Sequence, residues 1–158
     1  MIYKDRLNIG FTIVEIMSVL VIISILIGVG IMIDRSTKYT YRSARDSERA
    51  ADVESLAMIF ESYYRRNVGS YPKTTQAVAA VSNTELLRPP GVTVNSLVSP
   101  TTGAVPTNVT IKQYSYQPLQ ADGSICSGTA PGPCVRFFLY YVQETDGQMV
   151  TLESSHQQ

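Results

Sequence analysis

The hydrophobic pattern sets the first part of the chain apart from the rest. Residues 11–33 read FTIVEIMSVLVIISILIGVGIMI, an apolar run of 23 residues in which Glu15 is the only ionisable side chain. As a helix this run is about 34 Å long, enough to cross a hydrocarbon core of about 30 Å. The pattern therefore predicts a membrane-spanning helix, in which one carboxylate costs roughly 2.5–3.5 kcal/mol on insertion scales.

The next stretch changes to the pattern of an amphipathic helix. Residues 34–67 contain no proline or glycine, and NVGSYP at residues 67–72 predicts the end of the helix. A continuous helix over residues 11–67 would be roughly 85 Å long. Its charged residues, Arg45 and Arg49 among them, are predicted to form a solvated face. Apolar residues recur at spacings of three and four and predict the buried stripe: Val53, Leu56, Ala57, Phe60, Tyr63 and Tyr64.

The C-terminal part has the pattern of an antiparallel sheet. Three segments rich in β-branched and aromatic residues predict strands at 109–119, 134–144 and 148–154, with a hairpin turn at 145–147. The middle segment is apolar on both faces, which indicates a central strand. Residues 73–87 predict a short helix capped by Thr74 or Thr75, and residues 99–108 predict a loop. The predicted fold class is α+β, with the second half of the long helix packed on a small antiparallel sheet.

Glu15 raises the question of a partner. A carboxylate within an apolar helix needs a cation, and the run itself contains none. A secretory signal peptide is disfavoured, because the run exceeds the usual 7–15 residues and no A-x-A-like site follows it. A plain uncleaved anchor leaves Glu15 unexplained. Cleavage after Gly10 would create an α-amine at Phe11, which is largely cationic at neutral pH and which Glu15 of another subunit could neutralise.

Gly10-Phe11-Thr12-Ile13-Val14-Glu15, followed by the apolar run, resembles the class III prepilin signal of type IV pilins and pseudopilins. The resemblance implies cleavage between Gly10 and Phe11, N-methylation of Phe11, and assembly roles for Glu15 and Thr12. It implies a leader at 1–10, a transmembrane and assembly helix at 11–33, and an extracytoplasmic pilin-like globular domain at 34–158. Melting of the helix near Gly28 and Gly30 is also implied, with close helix packing in the membrane as the alternative.

The resemblance also implies location and partners. We expect a single-pass protein of the cytoplasmic membrane, N-terminus inside, that later enters an extracellular pilus. Its expected partners are copies of itself, other pilins, a prepilin peptidase, the pilus assembly platform and, before assembly, the membrane. The first interpretation is a type IV pilus subunit for adhesion, twitching motility or DNA uptake. A pseudopilin of a type II secretion or competence system is the alternative, favoured by GSYPKTT at residues 69–75, and a membrane-anchored enzyme or sensor is the third.

The remaining chemistry is sparse. Cys126 and Cys134 enclose a loop rich in proline and glycine, and in an exported chain they predict a disulfide. The 13 basic and 13 acidic residues balance, so charge does not indicate nucleic acid as a partner, although DNA stays possible. No catalytic or metal motif is present, no cofactor is expected, and the one histidine, His156, lies where disorder is common. Asn108 begins a glycosylation sequon, interpreted as chance.

Overall fold

A computed structural model describes residues 10–156, and for residues 30–36 it gives only the course of the helical backbone. Residues 1–9, nearly all of the predicted leader, lie outside the described residues, as do residues 157 and 158. The described chain forms two compact units, and the division falls between Thr40 and Tyr41. Each unit is considered by itself below.

Helix α1 spans Ile13–Arg66. Its end agrees with the sequence prediction, because the chain leaves helical geometry at once: Val68 and Gly69 both have positive φ angles, of 51° and 74°. The N–H of Gly69 returns to the carbonyl of Tyr64 at 3.1 Å, which closes the last turn. A glycine adopts this left-handed conformation readily, whereas a β-branched valine does not.

The prediction of a membrane-spanning helix at residues 11–33 is contradicted. A helix needs about 20 consecutive, predominantly apolar residues to cross a hydrocarbon core. Among the residues that the structure describes, no helix is both long and apolar enough to do so. The single-pass membrane localisation that rested on this span was therefore wrong.

The other elements follow in the second unit. A short helix α2 at Ala77–Ala80 and a 3₁₀ helix at Thr84–Leu87 precede four strands: β1 Leu97–Val98, β2 Tyr114–Leu119, β3 Arg136–Val142 and β4 Met149–Glu153. The residue before α2 is Gln76, and no side chain caps the helix, so the predicted threonine cap was wrong. Strands β2, β3 and β4 confirm the three predicted strands with narrower bounds.

The sheet is mixed rather than antiparallel, which corrects the predicted fold class. Its order is β1-β2-β3-β4, with β1 parallel to β2 and the other pairs antiparallel. The central position of β3 and the hairpin between β3 and β4 agree with the sequence prediction. Strand β1 was not predicted, because two residues are too few to show an alternating pattern. They form a strand only through pairing with β2.

The two edges of the sheet differ. At the β1 edge the N–H of Leu97 is taken by the side chain of Asn95 at 3.1 Å, and Pro100 follows two residues after the strand. Beyond β1, the carbonyl of Pro118 in β2 accepts the N–H of Cys126 at 2.8 Å. The opposite edge is formed by the whole length of β4.

The core of the second unit lies between α1 and one face of the sheet. Val53, Leu56 and Phe60 of α1 are fully buried, which confirms the predicted stripe at these positions. The ring of Phe60 lies 4.4 Å from that of Tyr116 and 5.7 Å from that of Phe137, the latter edge to face. Because side chains alternate along a strand, the neighbours of Tyr116 in β2 point to the other face of the sheet.

Candidate functional site

The start of α1 is built around Thr12 and Glu15. The Thr12 hydroxyl accepts a hydrogen bond from the Glu15 N–H at 3.3 Å, and the Thr12 carbonyl accepts from the N–H groups of Glu15 and Ile16. Thr12 is therefore the N-cap, and Glu15 occupies the third helical position, as in the T-x-x-E pattern of a capping box. The helix dipole favours a carboxylate in the first turn by about 0.3–1 kcal/mol. Glu15 thus stabilises the start of its own helix, a role that does not require a cation from another subunit.

The side chains that follow form an exposed apolar surface, which we call the apolar segment and define as Phe11–Val29. Its large apolar side chains are between 45% and 78% exposed. Successive residues of a helix are rotated by about 100°, so the four consecutive exposed residues Leu20 to Ile23 point to all sides. The apolar segment is therefore hydrophobic around its whole circumference.

The hydroxyl groups of the apolar segment are satisfied within the helix. Ser18 donates to the carbonyl of Glu15, and Ser24 donates to the carbonyl of Val21, each at 2.8 Å. Such bonds to the preceding turn are the usual way for a helical serine to satisfy its hydroxyl. The carboxylate of Glu15 is then the one ionisable group of the segment, and its residue is exposed.

The two glycines proposed as points of helix melting lie within α1. The backbone is helical at both Gly28 and Gly30. A Cβ atom added at Gly28 would meet no described atom within 4 Å, so no close contact with the described residues requires glycine there. The surroundings of Gly30 lie outside the description. Melting at these positions stays a prediction.

A buried polar cluster joins α1 to the turn between β3 and β4. Asp46 accepts hydrogen bonds from the N–H groups of Glu144 and Thr145, at 2.7 and 3.0 Å, and from the Thr145 hydroxyl at 2.8 Å. Arg49, only 2% exposed, donates to Asp46 at 2.8 Å and to Glu144 at 3.3 Å. Charges buried this deeply need paired and bonded partners. The predicted solvated face was therefore wrong for Asp46 and Arg49.

Both carboxylates of this cluster are held in their ionised form. Arg45 donates two hydrogen bonds to Glu144, one of them from Nε at 2.8 Å, and these lower the pKa of Glu144. Burial alone would raise the pKa of Asp46, but the hydrogen bonds from Glu144 and Thr145 outweigh burial and lower this pKa as well. The cluster therefore depends on negative charge at both positions.

A second polar cluster fixes the described end of the chain. Glu61 accepts hydrogen bonds from the Tyr71 hydroxyl at 3.0 Å and from the Ser155 N–H at 2.7 Å, and it lies 2.9 Å from Nδ1 of His156. The ring of His156 stacks on that of Tyr64 with centroids 4.7 Å apart. Burial and the neighbouring Glu61 carboxylate raise the pKa of Tyr71. His156, expected to be disordered, is thus held by two residues of α1.

The sulfur atoms of Cys126 and Cys134 lie 2.04 Å apart, the distance of a disulfide bond. Their loop is also bound by its backbone. The Cys134 carbonyl accepts the Tyr71 N–H at 2.9 Å, and the Cys126 carbonyl accepts the Thr74 N–H at 3.1 Å. The Ser70 hydroxyl accepts the Cys134 N–H at 3.1 Å. The GSYPKTT stretch singled out in the sequence therefore holds both cysteines of the loop through hydrogen bonds to their backbone.

The described residues contain no group of three or more His, Cys, Asp or Glu side chains arranged to hold a metal ion. Asn108 of the sequon is exposed in the loop that precedes β2. Comparison with known proteins adds no relative: no protein-family model matches the chain, and neither the curated proteins nor the solved structures contain a significant match.

Proposed function

We propose that the chain is a structural subunit that polymerises through its apolar segment into a filament of the type IV pilin kind. In this proposal a prepilin peptidase cleaves between Gly10 and Phe11 and the new amine is methylated. Copies of the chain, other pilins and a pilus assembly platform are its partners, and the filament serves adhesion, twitching motility or DNA uptake. The observation that carries the proposal is the exposure of apolar side chains on all sides of the apolar segment.

An apolar surface around the whole circumference favours a polymer over a dimer. A helix that is hydrophobic on every side needs neighbours on more than one side. A single partner helix would cover one stripe and leave the rest exposed. Repeated head-to-tail contacts that do not close into a ring generate a helical filament, in which each helix has several neighbours.

The energetics are adequate for such an assembly. Burying one large aliphatic side chain contributes about 1.5–3 kcal/mol. Burying about half of the large apolar side chains between Phe11 and Val29 therefore contributes on the order of 10 kcal/mol, which is comparable to the 4–15 kcal/mol cost of association. Burial of the others on further neighbours provides the surplus.

Glu15 supplies specificity in this proposal. Two opposite charges about 4 Å apart attract by about 4 kcal/mol at an effective dielectric constant near 20. Desolvation offsets part of this attraction, but a carboxylate buried without a partner is strongly unfavourable. Pairing with the Phe11 amine of a neighbouring copy would therefore select one axial register among the many that an apolar contact allows.

A pseudopilin of a secretion or competence system is the second candidate. It is favoured by the GSYPKTT stretch, residues 69–75. Both candidates use the same apolar contact, so they differ in the length and location of the polymer. A protein whose loss abolishes secretion of other proteins, while long filaments are never seen, would favour the second candidate.

The test is polymerisation of the full chain produced with a prepilin peptidase and a pilus assembly platform. Mass spectrometry of the polymer is expected to show a chain that begins at Phe11 and carries one methyl group. Electron microscopy is expected to show filaments for the unmodified chain and none for Leu20→Glu. Val94→Glu is the matched control, because Leu20 and Val94 are similarly exposed, at 60% and 64%.

Two results would contradict the proposal. One is a filament made of chains that still begin at Met1. The other is a normal yield of filaments from Leu20→Glu, since a charge within the apolar contact costs several kcal/mol when it is buried without a partner.

A further inference from the structure

A cavity of about 620 Å³ lies between the β1–β2 edge of the sheet and the loop of residues 99–109. Its volume falls in the range of about 300–1,000 Å³ that is typical of small-ligand sites. All of its lining residues belong to the second unit. None of them belongs to the apolar segment or to the two polar clusters described above, so the proposed polymerisation does not account for it.

The lining combines neutral polar groups with small apolar side chains. None of the described residues that line the cavity has a charged side chain. Apart from the polar groups, it consists of valine, proline and alanine. The polar groups are hydroxyls and amides, chiefly from Ser99, Thr101, Thr107, Asn108, Gln113 and Ser115.

Two of these polar groups have unused hydrogen-bonding capacity. Ser115 is 1% exposed and lines the cavity, yet no residue in the described part of the chain bonds to its hydroxyl. Gln113 accepts a bond from the Thr110 hydroxyl through Oε1 at 3.2 Å, which leaves its amide N–H groups available. Both groups can therefore bond to a ligand or a water molecule in the cavity.

The loop that forms the outer wall is held in place by Gln117. The Gln117 side chain donates to the carbonyls of Thr102 and Ala104, at 3.1 and 2.7 Å, and accepts from the Tyr140 hydroxyl at 2.7 Å. Gln117 is 1% exposed. Its amide therefore fastens the loop to the sheet, and the shape of the cavity exists before any ligand enters.

A close backbone approach fixes the same loop at a second place. A Cβ atom added at Gly103 would lie 2.1 Å from the carbonyl oxygen of Gly123. Only glycine permits this approach, because no shift of a flexible side chain could relieve a clash with backbone. The wall is thus preorganised, which lowers the entropic cost of binding.

We propose that this cavity binds an uncharged saccharide of about two sugar units. Sugar hydroxyls both donate and accept hydrogen bonds, as do the serine, threonine and amide groups of the lining. The C–H faces of a sugar ring match the valine and proline side chains. A charged ligand would lose its hydration without gaining an ionic partner, because the lining offers none.

The experiment is a titration of the full chain, kept in solution by a polyoxyethylene detergent that has no sugar headgroup. The probes are lactose, maltose, cellobiose and N,N′-diacetylchitobiose, with glucuronic acid as the charged comparison. Binding is followed by amide chemical shifts in NMR spectra. We expect at least one neutral disaccharide to shift residues of the 99–109 loop, and glucuronic acid to leave them unchanged.

Ser115→Ala removes the hydroxyl and adds no atom at this buried position, and is expected to weaken binding about fivefold, the effect of one hydrogen bond. Asn108→Ala, at an exposed position, provides a second test if Ser115→Ala fails to fold. Thr129→Val, outside the cavity, is the control and should bind as the unmodified chain does. The proposal is overturned if no neutral disaccharide binds more tightly than about 10 mM, if glucuronic acid binds equally well, or if Ser115→Ala and Asn108→Ala both bind normally.

Discussion

At the scale of residues, the contacts that hold the second unit together join distant parts of the chain. Asp46 and Glu144 are 98 residues apart in sequence, yet the Asp46 carboxylate accepts the Glu144 N–H. Local patterns describe only the helix around Asp46, where a charged residue is expected to face water. The partner that makes its burial possible is visible only when the β3–β4 turn is in place. For this reason the cluster was not predictable from the sequence.

Asp46→Asn is expected to lower the free energy of unfolding of the second unit by about 3 kcal/mol, within the range for breaking a buried charge pair. The neutral amide cannot accept all of the bonds from Glu144 and Thr145, and it leaves Arg49 buried with less compensation. Urea unfolding followed by circular dichroism measures the change. Asp146→Asn, in the same turn but exposed, is the control and should change stability by less than about 0.5 kcal/mol.

The same cluster predicts a pH dependence. The pKa values of Asp46 and Glu144 are both lowered in the folded chain, so their contribution to stability is complete above the ordinary carboxylate value near 4. This contribution is lost as the pH falls through the lowered values. Between pH 7 and pH 3 the urea midpoint of Asp46→Asn should therefore fall less than that of the unmodified chain. Parallel pH profiles would contradict the ionised cluster.

The left-handed backbone conformation of Val68 lowers the stability of the second unit, and no packing of its side chain compensates for this. Its φ angle is 51° and its side chain is fully exposed, so it has the strain of the left-handed region and no packing to lose. Val68→Asn should stabilise the second unit by about 0.5–1 kcal/mol, because asparagine tolerates this region better. Thermal unfolding measures the effect. Val94→Asn, also exposed, has no positive φ angle and is expected to be neutral.

At the scale of elements, the sequence predicted what local pattern determines. The buried positions Val53, Leu56 and Phe60, the hairpin at 145–147 and the three long strands follow from spacing and turn chemistry. Strand β1 and the mixed character of the sheet did not, because Leu97 and Val98 become a strand only through pairing with Tyr114 and Ser115. The membrane span was inferred from hydropathy alone, and the described helix does not support it.

The cysteine loop offers a test at the same scale. In the chain-entropy model a closed loop of this size contributes about 2.5 kcal/mol. Replacing both cysteines by serine should therefore lower the melting temperature of the second unit by roughly 5–10 °C. The backbone bonds from Tyr71 and Thr74 do not depend on the sulfur atoms, so the fold should survive.

The check is a calorimetric scan of the full chain with Ser127→Ala as the control, since Ser127 lies in the same loop and its hydroxyl is bonded to that of Thr129, also in the loop. Free thiols in the unmodified chain, measured under denaturing, non-reducing conditions, would contradict the pairing of Cys126 with Cys134.

At the scale of the whole molecule, a compact unit with its own core is joined in sequence to a segment whose apolar side chains are exposed. The sequence motif around Gly10 and Glu15 suggested a function for that segment, and its exposure supports the same proposal on physical grounds. The capping role of Glu15 was missed, although Thr12 and Glu15 match the T-x-x-E pattern of a capping box, because Glu15 was interpreted only as a charge within an apolar span.

Glu15→Val is expected to reduce filament yield at least tenfold when it is the only subunit, because the Phe11 amine of a neighbour would be buried alone. Glu15→Asp should be milder, since the charge survives on a shorter side chain. Quantitative electron microscopy of equal amounts of processed chain measures the yield. Thr12→Ala weakens the N-cap by about 0.5–2 kcal/mol and keeps the charge. Equal losses of filament from Thr12→Ala and Glu15→Val would show that Glu15 acts only on its own helix.

The unequal edges of the sheet limit how copies of this unit can add to one another by strand pairing. On one side β1 has only two residues, the side chain of Asn95 bonds to the Leu97 N–H, and Pro100 is close by, so the described residues leave no continuous row of free backbone groups there. On the other side β4 has an edge along its whole length. A unit with one such edge can pair with a second copy, β4 against β4. The resulting dimer then has no free strand edge on which a third copy could pair. Sheet extension is therefore self-terminating for this molecule, and unlimited growth has to proceed through a different surface.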